Sequence, residues 1–86
     1  MAQAGIIVFT AQGCGACQRV KEYLREKGVP FEERSVEDPE HRRQLVEDYR
    51  RMATPTTVAG EEIIVGFDRA RLEALVARQA GAAPPA

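Results

Sequence analysis

The first sustained apolar stretch, Ile6-Ile7-Val8-Phe9-Thr10, shows no polar alternation and is dominated by β-branched and aromatic residues. A strand covered on both faces carries that pattern, as in a sheet sandwiched between helices. It predicts a strand over residues 5–10, from Gly5 to Thr10, followed by the connector Ala11-Gln12-Gly13. From Cys14 the pattern becomes helical. Ala16, Val20, Tyr23 and Leu24 fall on one side, and Gln18, Arg19, Lys21, Glu22, Arg25 and Glu26 on the other. Gly28 after Lys27 is a helix stop, and Pro30 forbids continuation.

Phe31-Glu32-Glu33-Arg34-Ser35-Val36 predicts a second strand whose charge suits a sheet edge, where it discourages pairing with other molecules. Asp38-Pro39 marks a helix start, with Asp38 as N-cap and Pro39 in the first turn. Leu45, Val46, Tyr49 and Met52 form that helix's expected apolar stripe, which ends before Thr54-Pro55. Thr56-Thr57-Val58-Ala59 and Ile63-Ile64-Val65, joined through Gly60-Glu61-Glu62, read as a β-hairpin. Gly66-Phe67 turns the chain, Asp68 can cap a last helix, and Leu72, Leu75 and Val76 face inward. The order βαβαββα gives an α/β domain: two parallel strands joined across a helix, a hairpin added beside the first strand, and helices on both faces of a four-stranded mixed sheet. One domain over residues 1–79 is expected, with a flexible tail at 80–86 beginning where Gln79-Ala80-Gly81 stops the helix.

Composition narrows the function classes. Eighty-six residues, 44% hydrophobic and 29% charged, make one ordinary globular domain. Twelve Lys and Arg against thirteen Asp and Glu leave a net charge of −1, without the basic excess of a nucleic-acid binder. The pairs Arg42-Arg43 and Arg50-Arg51 read as a solvated helix face. No apolar run approaches a bilayer span, and Met1-Ala2-Gln3-Ala4 lacks the basic start of a secretory signal. A cytoplasmic, reducing setting is the expectation, with no membrane or nucleic-acid partner and a monomeric chain.

In that setting the two cysteines, Cys14 and Cys17, are the feature that carries chemistry. A Cys-x-x-Cys pair between a buried strand and a helix reads as a thiol–disulfide redox motif. At a helix N-terminus, unpaired N–H groups and the positive end of the helix dipole favour the thiolate of Cys14, which makes it the nucleophile. Cys17, one turn on, can attack the resulting mixed disulfide and resolve it. A structural disulfide is disfavoured, because so short a loop restrains the unfolded chain little. A zinc site would lack ligands beyond His41 and scattered carboxylates. Inert buried cysteines remain a competing reading.

The strand Ile6–Thr10 running into Cys14-Gly15-Ala16-Cys17, Thr54-Pro55 before a hairpin, and Gly66-Phe67-Asp68 opening the last helix together resemble the glutaredoxins of the thioredoxin superfamily. The resemblance covers about residues 5–78 and implies a thioredoxin fold of glutaredoxin type. Composition alone favours a trans Thr54–Pro55 bond; the resemblance implies a cis bond facing the cysteines. It implies that the backbone at Thr54 and Pro55 pairs with an extended substrate or glutathione. Gly66, Phe67 and Asp68 would then hold a glutathione carboxylate at a helix N-terminus. The implied activity is reduction of protein or mixed glutathione disulfides, with glutathione as co-substrate and no permanently bound cofactor or metal.

Three positions depart from the glutaredoxin pattern. Ala11 stands where a Lys or Arg is usual, the insert is Gly-Ala where Pro-Tyr is common, and Gly66-Phe67-Asp68-Arg69 replaces Gly-x-Asp-Asp. The Gly-Phe pair is similar to NrdH-type redoxins, which take electrons from thioredoxin reductase and pass them to ribonucleotide reductase. That role is the alternative; a non-catalytic partner-binding or iron–sulfur-bridging module ranks below it. His41 reads as a solvated surface histidine, and Tyr23 and Tyr49 as core. Phe67 either packs under the last helix or rims the cysteine site.

Overall fold

The computed structural model describes residues 5–82. Its elements are β1 (Ile6–Thr10), α1 (Gly15–Glu26), β2 (Glu32–Ser35), α2 (Pro39–Arg43), a π-helical turn (Gln44–Asp48), β3 (Thr56–Ala59), β4 (Glu62–Val65) and α3 (Arg69–Ala82). The sheet order is β2-β1-β3-β4. β2 runs parallel to β1, with Val8 opposite Glu33, and the β3–β4 hairpin continues the sheet antiparallel on the other side, with Val8 opposite Thr57. This is the four-stranded mixed sheet that the residue pattern predicts. Gly60 takes a left-handed φ of 62° and makes the hairpin turn with Glu61.

β1 is central, and its side chains divide between two apolar clusters. Ile6 and Val8 pack with Val20, Tyr23 and Leu24 of α1, Ile64 of β4, and Leu72 and Leu75 of α3. Phe9 points the other way, onto Leu45 and Val58, flanked by Ile7, Val36, Ile63 and Tyr49. The Phe9 and Tyr49 rings lie 5.7 Å apart at 59°. The larger cluster seats α1 and α3, while the smaller seats the α2 side.

The second helical segment differs from its expected form. Asp38 does cap it, accepting the Glu40 N–H at 2.9 Å with Pro39 at the first position. Regular α-helix ends at Arg43, however, and the next turn is wider: the Tyr49 N–H reaches back five residues to the Gln44 carbonyl at 3.3 Å. Arg50 then takes a left-handed φ of 56° and ends the segment. The widened turn and the stop at Arg50 together break the expected apolar stripe. Leu45 stays buried and Tyr49 half-buried, but Val46 and Met52 are turned outward, Met52 with 86% of its surface exposed. At the other end of the chain, α3 runs to Ala82, past the stop expected at Gln79, because alanine favours helix strongly enough to carry one glycine near a terminus. Residues 83–86 of the expected tail lie outside the described residues.

β2 occupies the sheet edge, as its charge predicts, and charge also holds it in place. Arg34 binds Glu32 at 2.9 Å and the Gln44 side chain at 2.8 Å, on the α2 side. Glu33 points to the opposite face, where its carboxylate accepts from the Lys21 ammonium at 3.0 Å and the Thr10 hydroxyl at 2.8 Å. Lys21, expected on the solvent side of α1, is only 9% exposed. Glu33 draws it inward, and its stem lies along the apolar face. Lys21, and after it Thr10, hold the Glu33 carboxyl below its ordinary value of 4.5. A lowered carboxylate value adds stability that is complete above the unfolded value and is lost as pH falls through the folded one. Lys21→Met is therefore expected to cost about 1 kcal/mol near neutral pH. In urea titrations the deficit should shrink below pH 4.5, where Glu33 takes up a proton in either protein; an undiminished deficit in acid would assign the loss to packing instead.

The turn leaving β4 is tied back to the start of β3. The Gly66 N–H donates to the Pro55 carbonyl at 2.8 Å, and Gly66 has a φ of 78°. A Cβ at Gly66 would meet no atom within 4 Å, so only the backbone conformation requires glycine. Gly66→Ala should lower stability by about 1–2 kcal/mol, the cost of a left-handed non-glycine residue. A urea midpoint equal to that of the unsubstituted chain would show that the turn relaxes without cost.

Candidate functional site

The largely buried β1 delivers the chain to the connector at its C-terminal end, and α1 begins almost at once. Cys14 is the N-cap of α1, in extended conformation (φ −96°, ψ 104°), so the helix's free N–H groups converge on it. The Cys17 N–H points at the Cys14 sulfur at 3.1 Å. The two sulfurs lie at bonding distance, with Cα atoms 5.2 Å apart. Their environments are unequal: Cys14 is half-exposed, whereas Cys17 is fully buried beneath α1. An incoming group can reach Cys14 from solvent; Cys17 is reached only through Cys14.

The Thr54–Pro55 bond is cis, against the composition-based expectation and in line with the resemblance. Pro55 is buried and Thr54 half-buried, and the Thr56 hydroxyl donates to the Ala53 carbonyl at 2.6 Å, which braces the segment on both sides of Pro55. Through its bond to the Pro55 carbonyl, Gly66 joins the two motifs that sequence placed eleven positions apart. Asp68 caps α3, its carboxylate accepting the Arg71 N–H at 3.1 Å. That helix N-terminus is therefore already facing an anionic group of its own. Phe67 packs its ring edge-on to Tyr23, 6.4 Å away at 78°, and joins the larger apolar cluster as a partly buried member.

Ala11 contributes no cation ahead of Cys14, and Lys21, the buried cation of α1, is paired with Glu33. The Lys21–Glu33–Thr10 group is the polar feature that helical spacing alone obscured. Lys21 stands four residues after Cys17 and three before Leu24, both buried, and that spacing is the signal that could have placed it inward. His41 sets its Nδ1 3.0 Å from the Ser35 carbonyl and supports the turn after β2. Among the described residues no three of His, Cys, Asp and Glu gather into a metal-binding group, and no helix is long and apolar enough to cross a membrane.

Comparison with known proteins places this geometry. The glutaredoxin family profile matches residues 6–64, from β1 into β4. A segment of 42 residues is 40% identical to the N-acetyl-S-hydroxy-L-cysteine reductase of Bacillus subtilis (strain 168), covering 49% of this chain and 45% of that protein, less than half its length. A glutaredoxin-like 8.6 kDa protein in a Clostridium pasteurianum rubredoxin operon is 28% identical over 72 residues, covering 83% of this chain and 96% of that one. The crystal structure of the thioredoxin-like protein BC3987 superposes with a TM-score of 0.78 at 38% identity, covering 81% of this chain and 97% of that one. With a thioredoxin-like sheet, a Cys14–Cys17 pair at the head of α1 and a profile match over most of its described length, the chain belongs to the glutaredoxin family.

Proposed function

We propose that the chain is a dithiol–disulfide oxidoreductase in which Cys14 attacks and Cys17 resolves. The observation that carries this reading is the inequality of the two sulfurs: Cys14 half-exposed at the N-cap, Cys17 buried one turn behind it. In the reduced protein the Cys14 thiolate is favoured by the helix N-terminus and by the Cys17 N–H that points at it. It attacks one sulfur of a substrate disulfide; a Cys14–substrate disulfide forms and the other substrate sulfur leaves as a thiolate. Cys17, after losing its proton, attacks the Cys14 sulfur. The Cys14–Cys17 disulfide forms, the second substrate thiolate departs, and two electrons have passed from the dithiol to the substrate. The braced backbone at Thr54 and Pro55 offers an edge for an extended substrate, while Gly66 ties that segment to the turn before α3, which Asp68 caps.

Protein disulfides are the preferred substrate class, with mixed glutathione disulfides beside them. Glutathione brings carboxylates, and the approach to Cys14 supplies no cation at Ala11, while Asp68 already occupies the α3 N-terminus. Thioredoxin reductase, as for an NrdH-type redoxin, is the alternative electron source. A second reading follows from the name of the Bacillus subtilis relative: reduction of a small S-hydroxy thiol. The same residues would carry it, Cys14 displacing the hydroxyl from sulfur, which leaves as water on protonation, and Cys17 releasing the thiol.

Cys14→Ser is expected to abolish turnover of every disulfide, and Cys17→Ser to accumulate a mixed disulfide with a protein target that mass spectrometry resolves. The reverse pattern would exchange the two roles. Turnover measured in parallel with glutathione plus glutathione reductase and with thioredoxin reductase identifies the donor; inactivity with both and with dithiothreitol would remove the oxidoreductase reading.

A further inference from the structure

β3 carries two threonines side by side, and strand alternation sends them to opposite faces of the sheet. Both are buried, Thr57 with 1% of its surface exposed. Thr56 satisfies its hydroxyl on the Ala53 carbonyl, and Thr10, buried on β1, satisfies its own on Glu33. The Thr57 hydroxyl has no hydrogen-bond partner among the described residues. A buried polar atom without a partner carries a desolvation cost that valine, of the same branched shape, would avoid. Thr57 lies directly opposite Val8 of β1 and Ile64 of β4, and Val8 in turn lies opposite Glu33 of β2. Opposite residues share a face, so Glu33, Val8, Thr57 and Ile64 form one row across the sheet. α1 lies over this row: Val20 and Leu24 pack with Val8 and Ile64, and Lys21 reaches Glu33. Cys17 stands one turn before Lys21 on the same side of α1 and is fully buried. The Thr57 hydroxyl and the Cys17 sulfur are therefore enclosed between the same helix and the same face of the sheet.

We propose that the Thr57 hydroxyl is the hydrogen-bond partner held for the Cys17 sulfur when the disulfide opens, favouring the reduced protein and the thiolate that resolves the mixed disulfide. The proposal rests on the dithiol reading above and adds a positioning residue to its second step. With the disulfide closed, the Cys17 sulfur is bonded to Cys14 and the hydroxyl goes unused. Opening the bond leaves the Cys17 sulfur in an apolar enclosure, which by itself disfavours its charged form. An O–H donated to that sulfur favours the charge. In the resolving step Cys17 loses its proton and its thiolate attacks the Cys14 sulfur. The Cys14–substrate bond breaks, and the departing substrate thiolate takes up a proton. Thr57 keeps its own proton throughout. The two sulfurs thus have separate donors: the Cys17 N–H serves the attacking one, and Thr57 the resolving one. The ionisable side chains on this face are Cys17, Lys21 and Tyr23 of α1 and Glu33 of β2, while Ile64, Leu72 and Leu75 are apolar. Glu62 of β4 is paired with Arg71 and Arg78 of α3 at the hairpin end of the strand.

The test uses the pre-reduced full chain in single turnover against the symmetric disulfide of thionitrobenzoate, whose release is read by absorbance. The first thionitrobenzoate released reports attack by Cys14, and the second reports resolution by Cys17. Thr57→Val preserves the branched shape and removes the hydroxyl; Thr57→Ser keeps the hydroxyl. In Thr57→Val the first phase is expected to be unchanged and the second about tenfold slower near neutral pH, equivalent to about 1.4 kcal/mol. The pH profile of that second phase should also move upward, while Thr57→Ser stays close to the unsubstituted chain in both phases. Lys21, Glu33 and Tyr23 are common to all three proteins, so the difference between them reports on Cys17. An unchanged second phase in Thr57→Val, a slowing that Thr57→Ser shares, or an equal slowing of both phases would overturn the proposal. If neither phase appears in the unsubstituted chain, the dithiol reading fails separately. The hydrogen bond is then read at equilibrium, from the disulfide's reduction potential in dithiothreitol mixtures. A potential about 30 mV more negative in Thr57→Val, a tenfold change in the equilibrium constant, supports the role of the hydroxyl; equal potentials sink it.

Discussion

The structure depends on one junction, where a strand buried on both faces hands the chain to a helix whose first free N–H groups need an acceptor. Cys14 sits at that junction and its sulfur takes the Cys17 N–H. The demand for a cap and the demand for a reactive thiolate are met by the same atoms, because a group that favours negative charge on sulfur also satisfies an orphan donor of the helix. The neighbouring elements hold this junction in place. α1 is pinned to the sheet by Val20, Tyr23 and Leu24 and to the edge strand by Lys21, and the start of β3 is tied to the turn after β4 through Gly66.

Local chemistry was legible in the sequence wherever one signal acted alone. The unbroken apolar run Ile6–Thr10, the Asp38-Pro39 start, the glycine turn of the hairpin and the cysteine spacing each have one physical meaning, and each stands where expected. Competing signals produced the misreadings. Lys21 reads as solvent-facing until Glu33, on a different element, draws it under α1. Val46 and Met52 fit a helical stripe, but Val46 falls in a wide turn and Met52 lies beyond the left-handed Arg50 that ends the segment, and side-chain periodicity marks neither. Phe67 packs against Tyr23 of α1, a contact between separate elements that residue spacing does not mark. The isomer at Thr54–Pro55 is invisible to composition; family likeness supplied it.

The region around the cysteines is unevenly furnished. On the proposed reading the Thr54–Pro55 segment meets an extended chain, and the residues beside it add little positive charge: Ala11 contributes none, and Lys21 is neutralised by Glu33. Recognition in such a site falls on main-chain pairing and apolar contact more than on ion pairing. That balance separates binding of a polypeptide, which presents both, from binding of a small multiply charged thiol, which presents mainly charge.

The division of the core into a larger and a smaller cluster also sets a hierarchy of local opening. On one face β1 shares its side chains with α1, α3 and β4; on the other, Phe9, Leu45 and Val58 are the fully buried members beneath a helix of five residues and one wide turn. Low-energy excursions should begin on that thinner side, where the least apolar area must be uncovered. Amide hydrogens from Glu40 to Arg51 would then exchange well before those of α1, and the segment entering Pro55 could change shape while the cysteine helix stays seated. The chain combines a rigid reactive centre with a yielding flank, and the boundary between them runs along a single strand.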